Sequence, residues 1–304
     1  MTDLILHSYD ESPFTQRVLR MLGIKNLTWR WVRTPMMPPK DDLVALTGGY
    51  RGTPVLQVGA DVYIDSQRIA RELEHRHPTP SLFTDGNAGL AYAAVKWADA
   101  FFRAGLNLAI GTTGAAWPEP FRKDRQGVFP DIDFTRVDVD HARSQLLAHA
   151  GFIEQQLADG RAYLTGSAPG LLDVHAWTVP WFTRASVPGV NELLACFERL
   201  PRWEARVAAL GEGDRVPCTV DEAFEVARRA TPAQCARVFA AAGTLEEGAD
   251  VAVEPDDTRR GAVRGTLEVL DWNEIVIRRR HERCGELLVH FPRLGYRVRS
   301  LERA

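Results

Sequence analysis

Leu4-Ile5-Leu6-His7-Ser8-Tyr9-Asp10-Glu11-Ser12-Pro13-Phe14-Thr15 is an apolar run that breaks into two acids, a serine and a proline. The run over residues 4–9 reads as a short strand. Ser12 is a helix-capping residue type, and Pro13 suits the first helical position, where no amide hydrogen is needed. A helix is therefore expected from Ser12, with Val18, Leu19 and Leu22 on its apolar face and Gly23 as its stop.

Working outward, residues 27–32 alternate apolar and polar side chains as a second strand does. Thr34-Pro35-Met36-Met37-Pro38-Pro39 has three prolines in six positions and reads as a loop. Tyr50-Arg51-Gly52-Thr53-Pro54-Val55-Leu56-Gln57-Val58, the turn at residues 59–61 and Val62-Tyr63-Ile64 together read as a hairpin. Asp65-Ser66 closes it and caps a helix with Ile69 and Leu73 on one side.

This order of strand, Ser-Pro-Phe-Thr helix, strand, Gly-Thr-Pro-Val-Leu hairpin and Asp-Ser helix resembles the N-terminal thioredoxin-like domain of the glutathione S-transferase family. The resemblance rests on three motifs in sequence and spans about the first quarter of the chain. It implies an α/β thioredoxin-like domain at residues 1–83 and an all-α helical domain at 86–211. Beyond these, residues 219–304 are expected to form a helical connector and a small antiparallel β unit.

At 304 residues, two domains and room for a small third are expected at about 150 residues each. The net charge of -3 mixes both signs, so no global basic field points to nucleic acid. There is no apolar run of about 18 residues and no basic, long apolar leader. No membrane partner is expected, and the cytoplasm is the default. The four cysteines, Cys196, Cys218, Cys235 and Cys284, form no Cys-x-x-Cys pair, and are expected to be reduced.

Residues 89–108 repeat apolar side chains at helical spacing, from Leu90 through Trp97 to Phe102. The Gly-, Thr- and Pro-containing stretch at 111–130 is expected to break the helices. A helix resumes at 138–157, another opens at Gly170 with Asp173 near its start, and a third is expected at 193–200 with Trp203. In the helical domain of the resembled family, a Ser or Thr cap stands three residues before that aspartate. Here the residue is Gly170, at a cost of roughly a few tenths of a kcal/mol, while Asp173 still reaches backbone donors. One or two further helices are expected at 219–242, and past Gly243 short strands at 250–253, 262–270, 274–277, 286–290 and 296–298. The basic run Arg278-Arg279-Arg280-His281-Glu282-Arg283 is placed at a hairpin tip as a solvated turn, near the acids of 254–257.

Ser12 and Thr15 stand where thioredoxin-like redox proteins place their two cysteines. No cysteine precedes Cys196, so dithiol exchange is excluded. A hydroxyl and the amides of a helix N-terminus both stabilise a thiolate, and Ser12 supplies the first at the start of the second. A plain helix cap accounts for Ser12 and Pro13 equally well, and Tyr9 and Thr15 are the other candidate donors. By the resemblance, Thr53-Pro54 is a cis-proline turn whose Thr53 backbone meets the cysteinyl part of glutathione like an added strand. Asp65 faces the γ-glutamyl ammonium, and Ser66 with its helix amides holds the carboxylate. Ordinary strand-starting and capping roles are the alternatives. Lys40 and Arg51 are candidates for the glycyl carboxylate, and Asp99 for the ammonium. Tyr92, Phe101, Trp117, Trp177 and Trp181 are candidates for a second-substrate surface. His281, Cys284 and His290 lack metal-ligand spacing, so no metal is expected.

The resemblance implies a glutathione-dependent transferase, a homodimer, that uses glutathione as co-substrate. Its thiol, activated by Ser12, attacks a small hydrophobic electrophile, as in detoxification. The other reading is a non-catalytic ligand-sensing or protein-interaction module on the same fold.

Overall fold

The computed structural model describes residues 3–233, 245–258 and 261–301. In chain order the elements are β1 (Ile5–Ser8), α1 (Pro13–Ile24), β2 (Thr28–Arg33), α2 (Asp41–Thr47), β3 (Val55–Val58), β4 (Asp61–Ile64) and α3 (Ser66–Arg76). Helices α4 (Ala88–Thr113), α5 (Glu119–Val128), α6 (Val139–Gln156), α7 (Leu171–Ser186), α8 (Val190–Leu193) and α9 (Leu200–Ala208) follow. The remainder comprises β5 (Asp214–Pro217), α10 (Val220–Arg229), β6 (Asp250–Pro255), β7 (Val263–Leu270), β8 (Glu274–His281), β9 (Gly285–Pro292) and β10 (Tyr296–Ser300).

The chain forms two compact units. One comprises Met1–Thr15, Thr28–Glu72 and Asp214–Ala304, and the other Gln16–Leu27 and Leu73–Gly213. In the first unit the ten strands found among the described residues lie in one sheet, in the order β10-β6-β7-β8-β9-β4-β3-β1-β2-β5. The inner strands pair as a thioredoxin-like sheet does: β1 is parallel to β2 and antiparallel to β3, and β3 forms the hairpin with β4.

The C-terminal strands are antiparallel to one another, as expected, but they do not stand apart. β9 runs parallel to β4, with Val62 opposite Val289 and Tyr63 opposite His290. The physical reason is the shared core. Leu43, Leu46, Tyr50, Val62 and Ile64 form one buried cluster with Phe224, Val251, Leu267, Ile277, Val289 and Phe291. A sheet of about sixty residues is too small to bury its own apolar face well, and α2, β3 and β4 supply the missing surface.

Several elements depart from the sequence-based expectation. Glu119–Val128 is helical inside the stretch expected to break the helices, with Pro118 at its cap and Pro120 in its first turn, where proline is tolerated. The helix expected at 193–200 is instead the short α8 followed by α9, which begins at Leu200 and buries Trp203. The basic run is mostly strand. Arg278 bonds Glu268 at 2.8 Å and pairs with Glu286, while Arg283 meets Asp42 at 2.7 Å, so these cations are partnered within the sheet and by α2. The nearby acid Glu254 pairs with Arg299. Arg279 donates to the carbonyls of Ala45 (2.7 Å) and Leu46 (3.0 Å). A cation there satisfies orphan acceptors at the end of α2, whose C-cap Gly48 takes φ +86°. Neither α2 nor β5 was expected. Of the helices expected at 219–242, α10 is present, started by a Thr219 and Glu222 capping box, while residues 234–242 and Cys235 lie outside the described residues.

Polar side chains are also built into this unit. Buried Gln57 accepts a hydrogen bond from His7 Nε2 at 2.9 Å through its amide oxygen and donates to the carbonyls of Gly59 and Ala223. Where β4 meets β9, His290 bonds Asp61 at 3.1 Å and Glu274 at 3.2 Å, and Arg68 donates to Glu274 at 2.8 Å. The His290 ring also stacks on Tyr63, 4.5 Å between centroids.

In the second unit, α4 packs on α6 and α7. Gly105 allows the close approach to α7, since a Cβ there would lie 2.9 Å from Thr183 Cγ2. Buried Asp173 accepts from the amides of Leu164 (2.8 Å) and Gly170 (3.0 Å) and from the Trp203 indole (2.8 Å), so the aspartate half of the capping box is retained. A side chain at position 170 would start 3.1 Å from the Leu82 carbonyl, which explains the glycine. Buried Lys25 donates to Glu74 at 2.7 Å and to the carbonyls of His77 and Pro80.

Burial alone would lower the pKa of His290, but its bonds to Asp61 and Glu274 outweigh this and raise it above 6.5. Burial would likewise raise Glu274, yet the His290 bond and the Arg68 charge hold it down to about 2. A histidine whose folded pKa is raised gives stability that is full below its unfolded pKa and is lost as pH rises through the folded value. Relative to His290→Gln, the parent should lose urea stability as pH rises from about 6.5. Urea midpoints of both proteins across that range check this; parallel profiles would show that His290 does not titrate with folding.

Candidate functional site

The sheet register brings three separate stretches to one end of the first unit. His7 pairs with Val55 and Ser8 is the last residue of β1, so the loop from Tyr9 to Ser12 leaves β1 where Thr53 and Pro54 enter β3. Val55 pairs with Ile64, which puts Asp65 and Ser66 beside Pro54 at that same end. Ser12, Thr53, Pro54, Asp65 and Ser66 thus converge through strand pairing alone.

Each stretch offers polar groups. Ser12, 2% exposed, caps α1 by accepting the Thr15 amide at 3.3 Å. A hydroxyl has two acceptor sites and one donor, so the cap leaves the proton available, and no group among the described residues accepts it. Thr15 Oγ1 is buried and has no hydrogen-bond partner among the described residues. The Thr53-Pro54 bond is cis. Thr53 is 5% exposed, and neither its N–H nor its C=O makes a backbone hydrogen bond among the described residues. An unpaired, nearly buried donor and acceptor on one residue is an edge to which an extended peptide can add.

Asp65 takes φ +76°, a conformation that aspartate adopts more readily than most residues. Its Oδ1 accepts the Gln67 amide at 2.9 Å, and its Oδ2 accepts the Tyr296 hydroxyl at 3.3 Å. Ser66 begins α3 at 3% exposure, and its hydroxyl has no protein partner among the described residues. Helix N-terminal amides with a neighbouring hydroxyl suit a carboxylate, and the Asp65 carboxylate suits an ammonium. Together these groups fit the two charged ends of an amino acid.

Around this centre, Lys40 Nζ lies 5.1 Å from the centroid of the Tyr9 ring. Arg215, from β5, grips Asp10 with two bonds of 3.0 and 2.9 Å and lies over the rings of Trp31 and Trp29. It thereby fixes the loop that leads to Ser12. The sequence reading missed Arg215 and Tyr296, which lie 205 and 231 positions from the acids they hold, and no local pattern marks either. In the second unit, Asp99 pairs with Arg17 at 3.2 Å and Lys96 at 3.6 Å. Of the aromatic candidates there, Phe101 and Trp177 are core, and the Trp117 indole donates to Thr113. His281 accepts from the Arg283 amide and His290 is held by two carboxylates; among the described residues no cluster of His, Cys, Asp and Glu suits a metal ion.

The thioredoxin-like sheet thus carries the Thr53-Pro54 turn, the helix that Ser12 starts and the Asp65-Ser66 turn at one end. Residues 6–81 match the family model described as the glutathione S-transferase N-terminal domain. A GST-like protein from Pseudomonas syringae is similar at 33% identity, with 99% of this chain and 100% of that one covered and a TM-score of 0.83. The chain belongs to the glutathione S-transferase family. The fold is also shared with glutathione transferase F2 from Populus trichocarpa, at 15% identity and a TM-score of 0.52, covering 67% of this chain and 93% of that one. A glutathione S-transferase from Methylobacterium radiotolerans, in complex with glutathione sulfonate, is similar at 19% identity and a TM-score of 0.51, covering 71% and 96%. These two nearly whole transferases account for only about two thirds of this chain, whereas the Pseudomonas syringae protein matches almost all of it. No curated protein sequence matches the chain.

Proposed function

We propose that this protein is a glutathione-dependent transferase in which Ser12 stabilises the glutathione thiolate for attack on a small hydrophobic electrophile. The observation that carries this reading is the convergence of three underused groups at one end of the sheet: the Ser12 proton, the Thr53 backbone and the Ser66 hydroxyl. Thr53, next to Pro54, takes the cysteinyl backbone as an added strand, while Asp65 and Ser66 take the ammonium and carboxylate of the γ-glutamyl end. That docking places the sulfur at the start of α1. A free thiol has a pKa of about 8.5, and a hydroxyl donor with helix N-terminal amides favours the anion. The thiolate then forms a carbon–sulfur bond as the electrophile's leaving group departs with the bonding pair. The family resemblance adds a homodimer.

The second reading, a non-catalytic ligand-binding module, is favoured by the near-complete burial of Ser12 and its bond to Thr15. The two readings share the ligand and part at the sulfur.

Asp65→Ala and Ser66→Ala should each weaken glutathione binding by about 1.5–3 kcal/mol, the usual worth of a hydrogen bond to a charged group. Calorimetric titration checks it, and unchanged affinity in both variants would reduce the pair to helix caps.

Ser12→Ala should keep most of the affinity but raise the pKa of the bound thiol by about one unit or more, since each unit corresponds to about 1.4 kcal/mol. Conjugation should fall at neutral pH and recover in part as alkali supplies the thiolate. Thiolate absorbance of the complex against pH decides the matter. Superimposable curves for parent and variant would leave Ser12 as a cap alone.

A further inference from the structure

Tyr296 opens β10, 231 positions from Asp65 in sequence. Its hydroxyl donates to Asp65 Oδ2 at 3.3 Å. We propose that Tyr296 is a positioning residue of the γ-glutamyl subsite, so that the C-terminal segment completes the glutathione site and selects ligands that carry an α-ammonium. This rests on the reading of Asp65 given above.

Tyr296 is fixed for that task. It is 5% exposed, its ring lies 5.6 Å from that of Phe291, and its carbonyl accepts from Arg293 at 3.2 Å. The turn before it uses Gly295 at φ +83°, whose carbonyl accepts the Asp256 amide at 3.0 Å. From there β10 pairs with β6, Tyr296 opposite Pro255 and Val298 opposite Val253. The phenol is therefore held from behind by the sheet, and its hydroxyl emerges beside Asp65.

The chemistry follows from counting lone pairs. An ionised carboxylate has about four acceptor sites. The Gln67 amide meets one oxygen and the Tyr296 hydroxyl the other, so the carboxylate plane is set at both ends. Without the hydroxyl Oδ2 loses this bond, the carboxylate is oriented by one contact fewer, and a ligand must restrict it further on binding.

The test uses the full chain, glutathione, and glutaryl-cysteinylglycine, which is glutathione without its amino group. Tyr296→Phe keeps the ring and its packing and removes only the hydroxyl. It should weaken glutathione binding by calorimetry about tenfold, and leave binding of the deaminated analogue within about twofold of the parent. Arg299→Ala, on the same strand and paired with Glu254 at 2.7 Å, should change neither. Equal weakening for both ligands would make Tyr296 structural only and overturn the proposal. Unchanged glutathione binding in Tyr296→Phe would overturn it as well, and if Asp65→Ala still weakens binding, the wider reading of the site stands. No effect of Asp65→Ala would overturn both.

Discussion

The parallel pairing of β9 with β4 is the contact on which the first unit depends. Without it β4 would end the thioredoxin-like sheet as an open edge, a row of unpaired backbone donors and acceptors. The register is narrowly set there. Tyr63 and His290 face each other, and His290 reaches Asp61 from the same face of the sheet. A slip of one residue would turn His290 to the other face and leave the buried Asp61 without its hydrogen bond to that ring. The pairing thus fixes where the C-terminal strands lie, and with them the place of Tyr296.

On the other flank β5 does a related job. It runs parallel to β2, Trp29 opposite Arg215, and so delivers the Arg215 guanidinium to Asp10. Lysine would not substitute well, because the two parallel bonds and the ring stacking need a planar fork. Two of the three stretches that make up the site are therefore held by residues that follow the helical unit in sequence, one at the Ser12 loop and one at Asp65.

The legible part of this molecule was local. Ser12 and Pro13 marked the start of α1, which runs one residue past the Gly23 expected to stop it, the hairpin announced β3 and β4, and Thr219 opened the stretch in which α10 forms. The motifs of the candidate site, at Ser12, Thr53-Pro54 and Asp65-Ser66, were visible as turns with particular residue types, and the roles proposed for them came from the family resemblance. What stayed hidden was long-range or without a local signal. The five C-terminal strands alternate as any half-buried antiparallel sheet does, and nothing in Leu287, Leu288 and Val289 says that their partner is β4. Arg278 and Arg280 read as a solvated cluster because Glu268 and Glu286 become their neighbours only once the strands pair. Helix α5 was obscured by Pro118, Pro120 and Gly127, residues that punctuate sequence but are tolerated near helix ends.

The central claim is that the turns at Ser12, Thr53-Pro54 and Asp65-Ser66 form one glutathione site within a unit that includes the C-terminal strands. Amide hydrogen exchange on the full chain, with and without saturating glutathione, tests it most directly. The account predicts slowed exchange together at the start of α1, at Thr53 and at Ser66 and Gln67, with the turn before Tyr296 slowed alongside them. Protection elsewhere with these amides unchanged would contradict it.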